Sequence, residues 1–126
     1  MQQTVIIADD AQFMRLMLKD ILEDMGLKVV AEVADGVQAV AEYRNHRPDL
    51  VMLDITMPEL DGVSACREIL ASDPRARVVM ISALGQKDEV LAAVRAGAGD
   101  FVIKPFEAER VEVTVRSLLT RQVHPA

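Results

Sequence analysis

Two kinds of hydrophobic pattern alternate along the chain. Short segments with strand character occupy residues 4–8, 28–34, 50–54, 78–81 and 100–103. Between them, apolar residues recur every three or four positions, as in the stripe from Met14 to Met25 that stops at Gly26. Unbroken apolar runs indicate strands buried on both faces, and the wider spacing indicates amphipathic helices. Further helices are predicted at 37–47, 63–70 and 87–96, with a last one carrying the stripe from Val111 to Leu119.

Five strands that alternate with five helices predict an α/β fold. The expected architecture is a five-stranded parallel sheet with helices on both faces, because crossover connections place helices against the sheet. The loops are short and no repeat interrupts the pattern, so residues 1–126 are interpreted as one domain.

The composition argues against several classes of protein. The 126 residues are 51% hydrophobic and 27% charged, which is typical of a folded globular domain. A net charge of −6 argues against a nucleic-acid surface. No apolar run approaches the roughly 18 residues of a membrane span, and no basic leader segment precedes residue 4. Cys66 is the only cysteine, which excludes an internal disulfide. We therefore expect a cytoplasmic protein that binds neither nucleic acid nor membrane.

Polar residues stand where four of the predicted strands end. Asp9 and Asp10 follow the first strand, Asp54 ends the third, Ser82 ends the fourth and Lys104 follows the fifth. The carboxyl ends of parallel strands share one rim, where ligands usually bind. We expect these side chains to meet there, with Asp54 central and at the rim rather than in the core.

Three neighbouring carboxylates require a compensating charge. Two unit charges about 4 Å apart repel by roughly 4 kcal/mol at an effective dielectric constant near 20. Lys104 offsets part of this, and Mg²⁺, which prefers oxygen ligands, is expected to offset the rest. An alternative is that Asp9 or Asp10 only caps the first helix. A metal, a lysine and the Ser82 hydroxyl beside Asp54 indicate phosphoryl transfer, with Asp54 as nucleophile.

The motifs as a set resemble one known family. They are Asp9-Asp10, Asp54 with Met57-Pro58 and Asp61-Gly62, Ser82-Ala83, Ala96-Gly97-Ala98, and Asp100-Phe101 before Lys104-Pro105-Phe106. Over nearly the whole chain the sequence resembles a response-regulator receiver domain of two-component signalling. The resemblance implies a flavodoxin-like receiver fold with strand order 2-1-3-4-5, the order of flavodoxin and of chemotaxis-type regulators.

The same resemblance implies the roles of the site residues. Asp54 would accept a phosphoryl group from a histidine kinase. Asp10, Asp54 and the backbone carbonyl of Thr56 would ligate Mg²⁺, and Asp9 would act through water. Ser82 and Phe101 would form the conformational switch. The bond between Lys104 and Pro105 would be cis.

Segments 11–18 and 82–86 are similar to those of stand-alone chemotaxis regulators. This implies a downstream effector such as a flagellar motor switch protein, and a phosphatase as a further partner. The output face would combine the fourth helix, the fifth strand and the fifth helix, where Leu91 and Val113 are expected to be exposed. Thr56 and Leu84 depart from the enteric pattern of asparagine and glutamate, which leaves the dephosphorylation rate open.

Three alternatives remain at this point. A receiver domain trimmed from a multidomain transcriptional regulator would have the same sequence features. A Mg²⁺-dependent aspartyl phosphohydrolase of the haloacid-dehalogenase kind would need a second aspartate where Thr56 stands. A flavodoxin-like nucleotide binder would need a glycine-rich phosphate loop, and the sequence has none. We therefore predict a phospho-acceptor switch of two-component signalling rather than an enzyme.

Overall fold

A computed structural model of the protein describes residues 2–83 and 87–120. Strands and helices alternate in it, in the order β1 (Thr4–Ala8), α1 (Gln12–Asp24), β2 (Lys28–Val33), α2 (Gly36–His46), β3 (Leu50–Asp54), α3 (Gly62–Ser72), β4 (Val78–Ser82), α4 (Lys87–Ala96), β5 (Asp100–Ile103) and α5 (Ala108–Thr120). The strands pair in parallel in the order β2-β1-β3-β4-β5, which confirms the expected fold class and order. No helix in these ranges has both the length and the hydrophobicity needed to span a bilayer.

The central strands are buried on both faces, which explains their unbroken apolar sequences. Alternate side chains of β3 point to opposite layers: Leu50 and Met52 pack with α1 and α5, whereas Val51 and Leu53 pack with α2, α3 and α4. Every residue of β3 and β4 is buried. A strand covered on both sides has no solvent face, so polar residues appear only at its end.

Most predicted boundaries hold within two residues. Gly26 has a φ of +91°, which confirms the left-handed stop predicted after α1. The prediction for α3 was too short at its carboxyl end, because the helix continues to Ser72 and the N–H of Asp73 donates to the Ile69 carbonyl. β2 ends one residue earlier than predicted, at Val33.

A partly buried hydrogen bond joins α2 to the end of α3. The hydroxyl of Tyr43, which is 2% exposed, donates to Asp73 Oδ2 at 2.6 Å. Arg47 Nη1 lies 3.6 Å from the same oxygen. The hydrogen bond from Tyr43 is the main reason that the pKa of Asp73 lies below its usual value, and burial only partly opposes it.

Tyr43→Phe is expected to lower the free energy of unfolding by about 1–2 kcal/mol at neutral pH, because a charged acceptor loses its donor. The pKa of Asp73 is depressed in the folded state, so this stabilisation is present above the unfolded pKa of about 3.9 and is lost as pH falls through the folded pKa. Urea unfolding of both proteins at neutral pH and at about pH 3 measures the difference. A gap of equal size at both pH values would show that the hydrogen bond does not depend on the charge of Asp73.

Candidate functional site

The polar residues that follow the strands meet at one rim of the sheet, as predicted. Carboxylate oxygens of Asp9, Asp10 and Asp54 all lie within 4.8 Å of one another. Lys104 Nζ lies 2.9 Å from Asp9 Oδ2 and 3.4 Å from Asp54 Oδ2. The ends of β1, β3 and β5 therefore build one acidic pocket with an ammonium group between two of its acids.

Backbone hydrogen bonds hold these residues in place by continuing the sheet ladder past the ends of the strands. Asp9 N–H donates to the Val33 carbonyl at 3.1 Å, and Lys104 N–H donates to the Ser82 carbonyl at 2.7 Å. Ile55 N–H, directly after Asp54, donates to the Ile81 carbonyl at 2.9 Å. The hydrogen-bonding pattern of the sheet thus determines the relative positions of the pocket residues.

Asp54 lies at the rim and belongs to neither core cluster, yet only 5% of its surface is exposed. The loop after β3 turns back over the strand end, where Gly62 N–H donates to the Ile55 carbonyl at 2.8 Å. Residue 62 must be glycine for this close approach, because a Cβ there would lie 2.1 Å from the Asp54 carbonyl oxygen. The loop therefore packs directly against the backbone at the end of β3.

Asp9 and Asp10 have different surroundings. Asp9 has no exposed surface, and its Oδ1 accepts a hydrogen bond from Ala11 N–H at 2.9 Å while Oδ2 pairs with Lys104. Asp10 is exposed and forms no hydrogen bond or ion pair with a described residue. Neither acid is the N-cap of α1, because that residue is Ala11 and no side chain caps the helix.

Arg15 is a site neighbour that the sequence analysis missed. Its Nη1 donates to the backbone carbonyl of Asp9 at 2.7 Å, and its Nε lies 3.7 Å from Glu32 Oε1 on β2. The contact connects α1 to the loop that carries the acidic pair. No local sequence signal predicts this contact, because Arg15 occupies an ordinary polar position of an amphipathic helix.

The electrostatics of the pocket reflect the crowding of its acids. Burial raises the pKa of Asp54 to about 6, and the negative charge of Asp9 adds to this, while Lys104 opposes it. Burial acts to lower the pKa of Lys104, but the carboxylates of Asp9 and Asp54 outweigh it and hold that pKa above its usual value. The lysine therefore stays protonated and compensates only part of the negative charge.

The donor set of the pocket fits Mg²⁺. All the ligand atoms that the acidic cluster offers are carboxylate oxygens, and this hard cation binds through one or two carboxylates with water completing its octahedron. The incomplete compensation of Asp54 by Lys104 leaves negative charge for a cation to neutralise.

Of the remaining predicted residues, Ser82 and Thr56 border the pocket, whereas Phe101 packs against the core. Ser82 is 1% exposed, and its Oγ donates to Glu89 Oε2 at 2.6 Å, a contact that the sequence did not reveal. Thr56 is exposed, with its N–H 3.4 Å from Asp54 Oδ1. Phe101 is half-buried against the core. The bond between Lys104 and Pro105 is cis, as the resemblance implied. Leu84, the second departure from the enteric pattern, lies outside the described residues.

Comparison with known proteins agrees with this geometry. The family model of the response regulator receiver domain matches residues 5–116. The chain is 51% identical over 119 residues to the chemotaxis protein CheY of Bacillus subtilis, covering 94% of this chain and 99% of that protein. It is 48% identical over 111 residues to CheY of Thermotoga maritima, covering 88% of this chain and 92% of that one.

A solved structure gives the same fold. CheY in the CheX–CheY–BeF₃–Mg²⁺ complex of Borrelia burgdorferi superposes with a TM-score of 0.90 at 38% identity, covering 94% of this chain and 90% of that one. The family model matches most of the chain, and relatives are about 50% identical to it, so the family of the chain is established. The chain belongs to the response regulator receiver domain family and is a receiver domain of two-component signalling.

Proposed function

We propose that Asp54 is the phosphoryl acceptor of this receiver domain and takes the group from a phosphohistidine of a histidine kinase. The observation that carries the proposal is the placement of Lys104 Nζ between Asp9 and Asp54, with a third carboxylate in the same cluster. Asp54 is the central member, since β3 lies between β1 and β4 in the sheet. A buried carboxylate beside an ammonium group is suited to attack phosphorus.

In the proposed reaction, an Asp54 carboxylate oxygen forms a bond to phosphorus as the bond from phosphorus to the histidine nitrogen breaks. The released imidazole keeps the electron pair and takes a proton from solvent. Lys104, 3.4 Å from Asp54 Oδ2, stabilises the negative charge of the phosphoryl oxygens. Ser82 donates a hydrogen bond to one of those oxygens once its hydroxyl turns toward them.

The metal site is part of the same proposal. Asp10, Asp54 and the backbone carbonyl of Thr56 would hold Mg²⁺, and Asp9 would contact it through water. When bound, Mg²⁺ supplies positive charge that neutralises the transferring group.

We propose that residues 1–126 act as one domain whose output face is formed by α4, β5 and α5. Four large apolar side chains are exposed there: Leu91 at 39%, Val94 at 61%, Ile103 at 44% and Val113 at 54%. Phosphorylation would change the affinity of this face for a downstream protein, with Phe101 of β5 as a moving part. The names of the CheY relatives support a role in chemotaxis. We propose a flagellar motor switch protein as effector, a phosphatase as second partner and the cytoplasm as location.

Incubation with acetyl phosphate and Mg²⁺ is expected to add one phosphoryl group, measured by intact-mass spectrometry, and Asp54→Asn is expected to abolish the addition. Asp61→Asn is a matched control, because it removes a charge from the same loop while asparagine still caps α3. Labelling of the Asp54→Asn protein would refute the assignment.

We further propose that the chain turns over no separate substrate. Thr56, two residues after Asp54, has no carboxyl group with which to protonate a leaving group. Steady hydrolysis of p-nitrophenyl phosphate far beyond one equivalent, lost in Asp54→Asn, would instead establish a phosphohydrolase.

A further inference from the structure

The hydrogen bond between Ser82 and Glu89 connects the pocket to the first turn of α4. Ser82 is the last residue of β4 and is 1% exposed. Its Oγ donates to Glu89 Oε2 at 2.6 Å, a length typical of a hydroxyl that donates to an ionised carboxylate. Glu89 is the third residue of α4, the helix that carries Leu91 and Val94 on the proposed output face.

The Ser82 hydroxyl can donate to only one acceptor at a time. A hydroxyl has one proton to donate, so Ser82 cannot donate to Glu89 and to a phosphoryl oxygen at the same time. Ser82 lies beside the pocket, because its carbonyl accepts the Lys104 N–H and its neighbour Ile81 is in register with Asp54. The carboxylate of Glu89 and a phosphoryl group on Asp54 would therefore compete for one proton.

We propose that Glu89 is a positioning residue that holds the Ser82 hydroxyl away from Asp54 before phosphorylation, and that the phosphoryl group displaces it. The inference rests on the proposed function of Asp54. No covalent bond changes at Ser82: its proton stays on Oγ, and only the acceptor changes from a carboxylate oxygen to a phosphoryl oxygen.

Charge drives this exchange in one direction. A phosphoryl group adds roughly −1.5 to −2 charge, so it attracts the hydroxyl more strongly than Glu89 does and repels the Glu89 carboxylate. The exchange releases the first turn of α4 from β4. Glu89 thereby lowers the reactivity of the unphosphorylated site and couples its occupancy to α4.

The test uses Glu89→Ala, with Asp88→Ala as a matched control that removes an acid from the same turn. Asp88 is exposed and one position earlier in α4. Beryllofluoride with Mg²⁺ serves as the phosphoryl analogue. NMR titration gives the midpoint, which is the beryllofluoride concentration at half-saturation. Amide hydrogen exchange of α4 is measured with and without the analogue. Glu89→Gln, which keeps a weaker neutral acceptor, is a second variant in case the alanine protein does not fold.

We expect Glu89→Ala to lower the beryllofluoride midpoint and to speed phosphorylation by acetyl phosphate, each by roughly tenfold, since a charged hydrogen bond no longer has to break. Glu89→Gln should show a smaller change in the same direction, and Asp88→Ala a change of less than about twofold. Exchange of the α4 amides should be faster in Glu89→Ala without the analogue. This difference from the wild-type protein should disappear when the analogue is bound, because the bond is then broken in both.

Two results would overturn the inference. Equal effects of Glu89→Ala and Asp88→Ala on the midpoint would mean that only the charge of the turn matters. A difference in α4 exchange that persists with the analogue bound would assign Glu89 a purely structural role. Absence of beryllofluoride binding by the wild-type protein is distinguishable from both, since it would refute the proposed function of Asp54 itself.

Discussion

Gly62→Ala is expected to reduce the free energy of unfolding by about 3 kcal/mol or more. An alanine Cβ at this position would lie 2.1 Å from the Asp54 carbonyl oxygen and 2.9 Å from the Ile55 Cα. Both are backbone atoms, which cannot rotate away as the end of a side chain can. The strand end or the start of α3 must therefore move, and Asp54 moves with it. Urea unfolding measures the loss.

Gly26→Ala separates this clash from ordinary glycine strain. Gly26 has a φ of +91°, but a Cβ there would meet nothing within 4 Å. Gly26→Ala should therefore lower the free energy of unfolding by roughly 1 kcal/mol, because alanine is strained in a left-handed backbone. Gly26→Ala should also leave phosphorylation intact, whereas Gly62→Ala should slow it because the acceptor is displaced. Equal losses of stability in the two variants would show that the loop after β3 relaxes without strain.

Asp10→Ala is expected to weaken Mg²⁺ binding at least about tenfold, the lower limit for disturbing even an indirect metal contact. The same change should not lower stability, because Asp10 is exposed and bonds to no described residue, and its removal relieves repulsion with Asp9 and Asp54. Calorimetric titration with Mg²⁺ and urea unfolding measure the two effects. Binding equal to that of the wild-type protein would remove Asp10 from the proposed ligands.

Asp9→Ala is the matched comparison for Asp10→Ala. It should lower stability as well as metal affinity, because the Ala11 N–H and the Lys104 ammonium both lose a partner. The pair of variants therefore separates a ligand that only binds the cation from one that also holds the loop. If both variants lost the same stability, the two acids would share one structural role.

The sequence predicted the members of the pocket because of where its strands end. Four largely apolar runs each lead into a polar side chain, and parallel strands end on the same side, so Asp9, Asp54, Ser82 and Lys104 had to share a rim. The order of the strands was known only from the family resemblance. Hydrophobic periodicity identifies strands but does not specify which of them are neighbours.

Contacts that depend on tertiary placement were not predictable in this way. The close approach of Gly62 to the backbone of Asp54 depends on how the loop after β3 returns to the strand, which no pattern of apolar residues describes. The Glu89 contact depends on where α4 begins relative to β4, and an acid in the first turn of a helix has an ordinary explanation in the helix dipole. Arg15 escaped prediction because its partner is a backbone carbonyl, which has no sequence signature.

The two ion pairs of Lys104 have a consequence for β5. Among the described strands it pairs with β4 alone, at the edge of the sheet, yet the side chain that follows it reaches past β4 to Asp54 and Asp9. Its terminal end is thus anchored by attraction to charges two and three strands away. A change of charge in the pocket therefore changes the electrostatic attraction that holds this end of β5. A chemical event at Asp54 thus acts directly on the edge of the sheet, without a relay through the hydrophobic core.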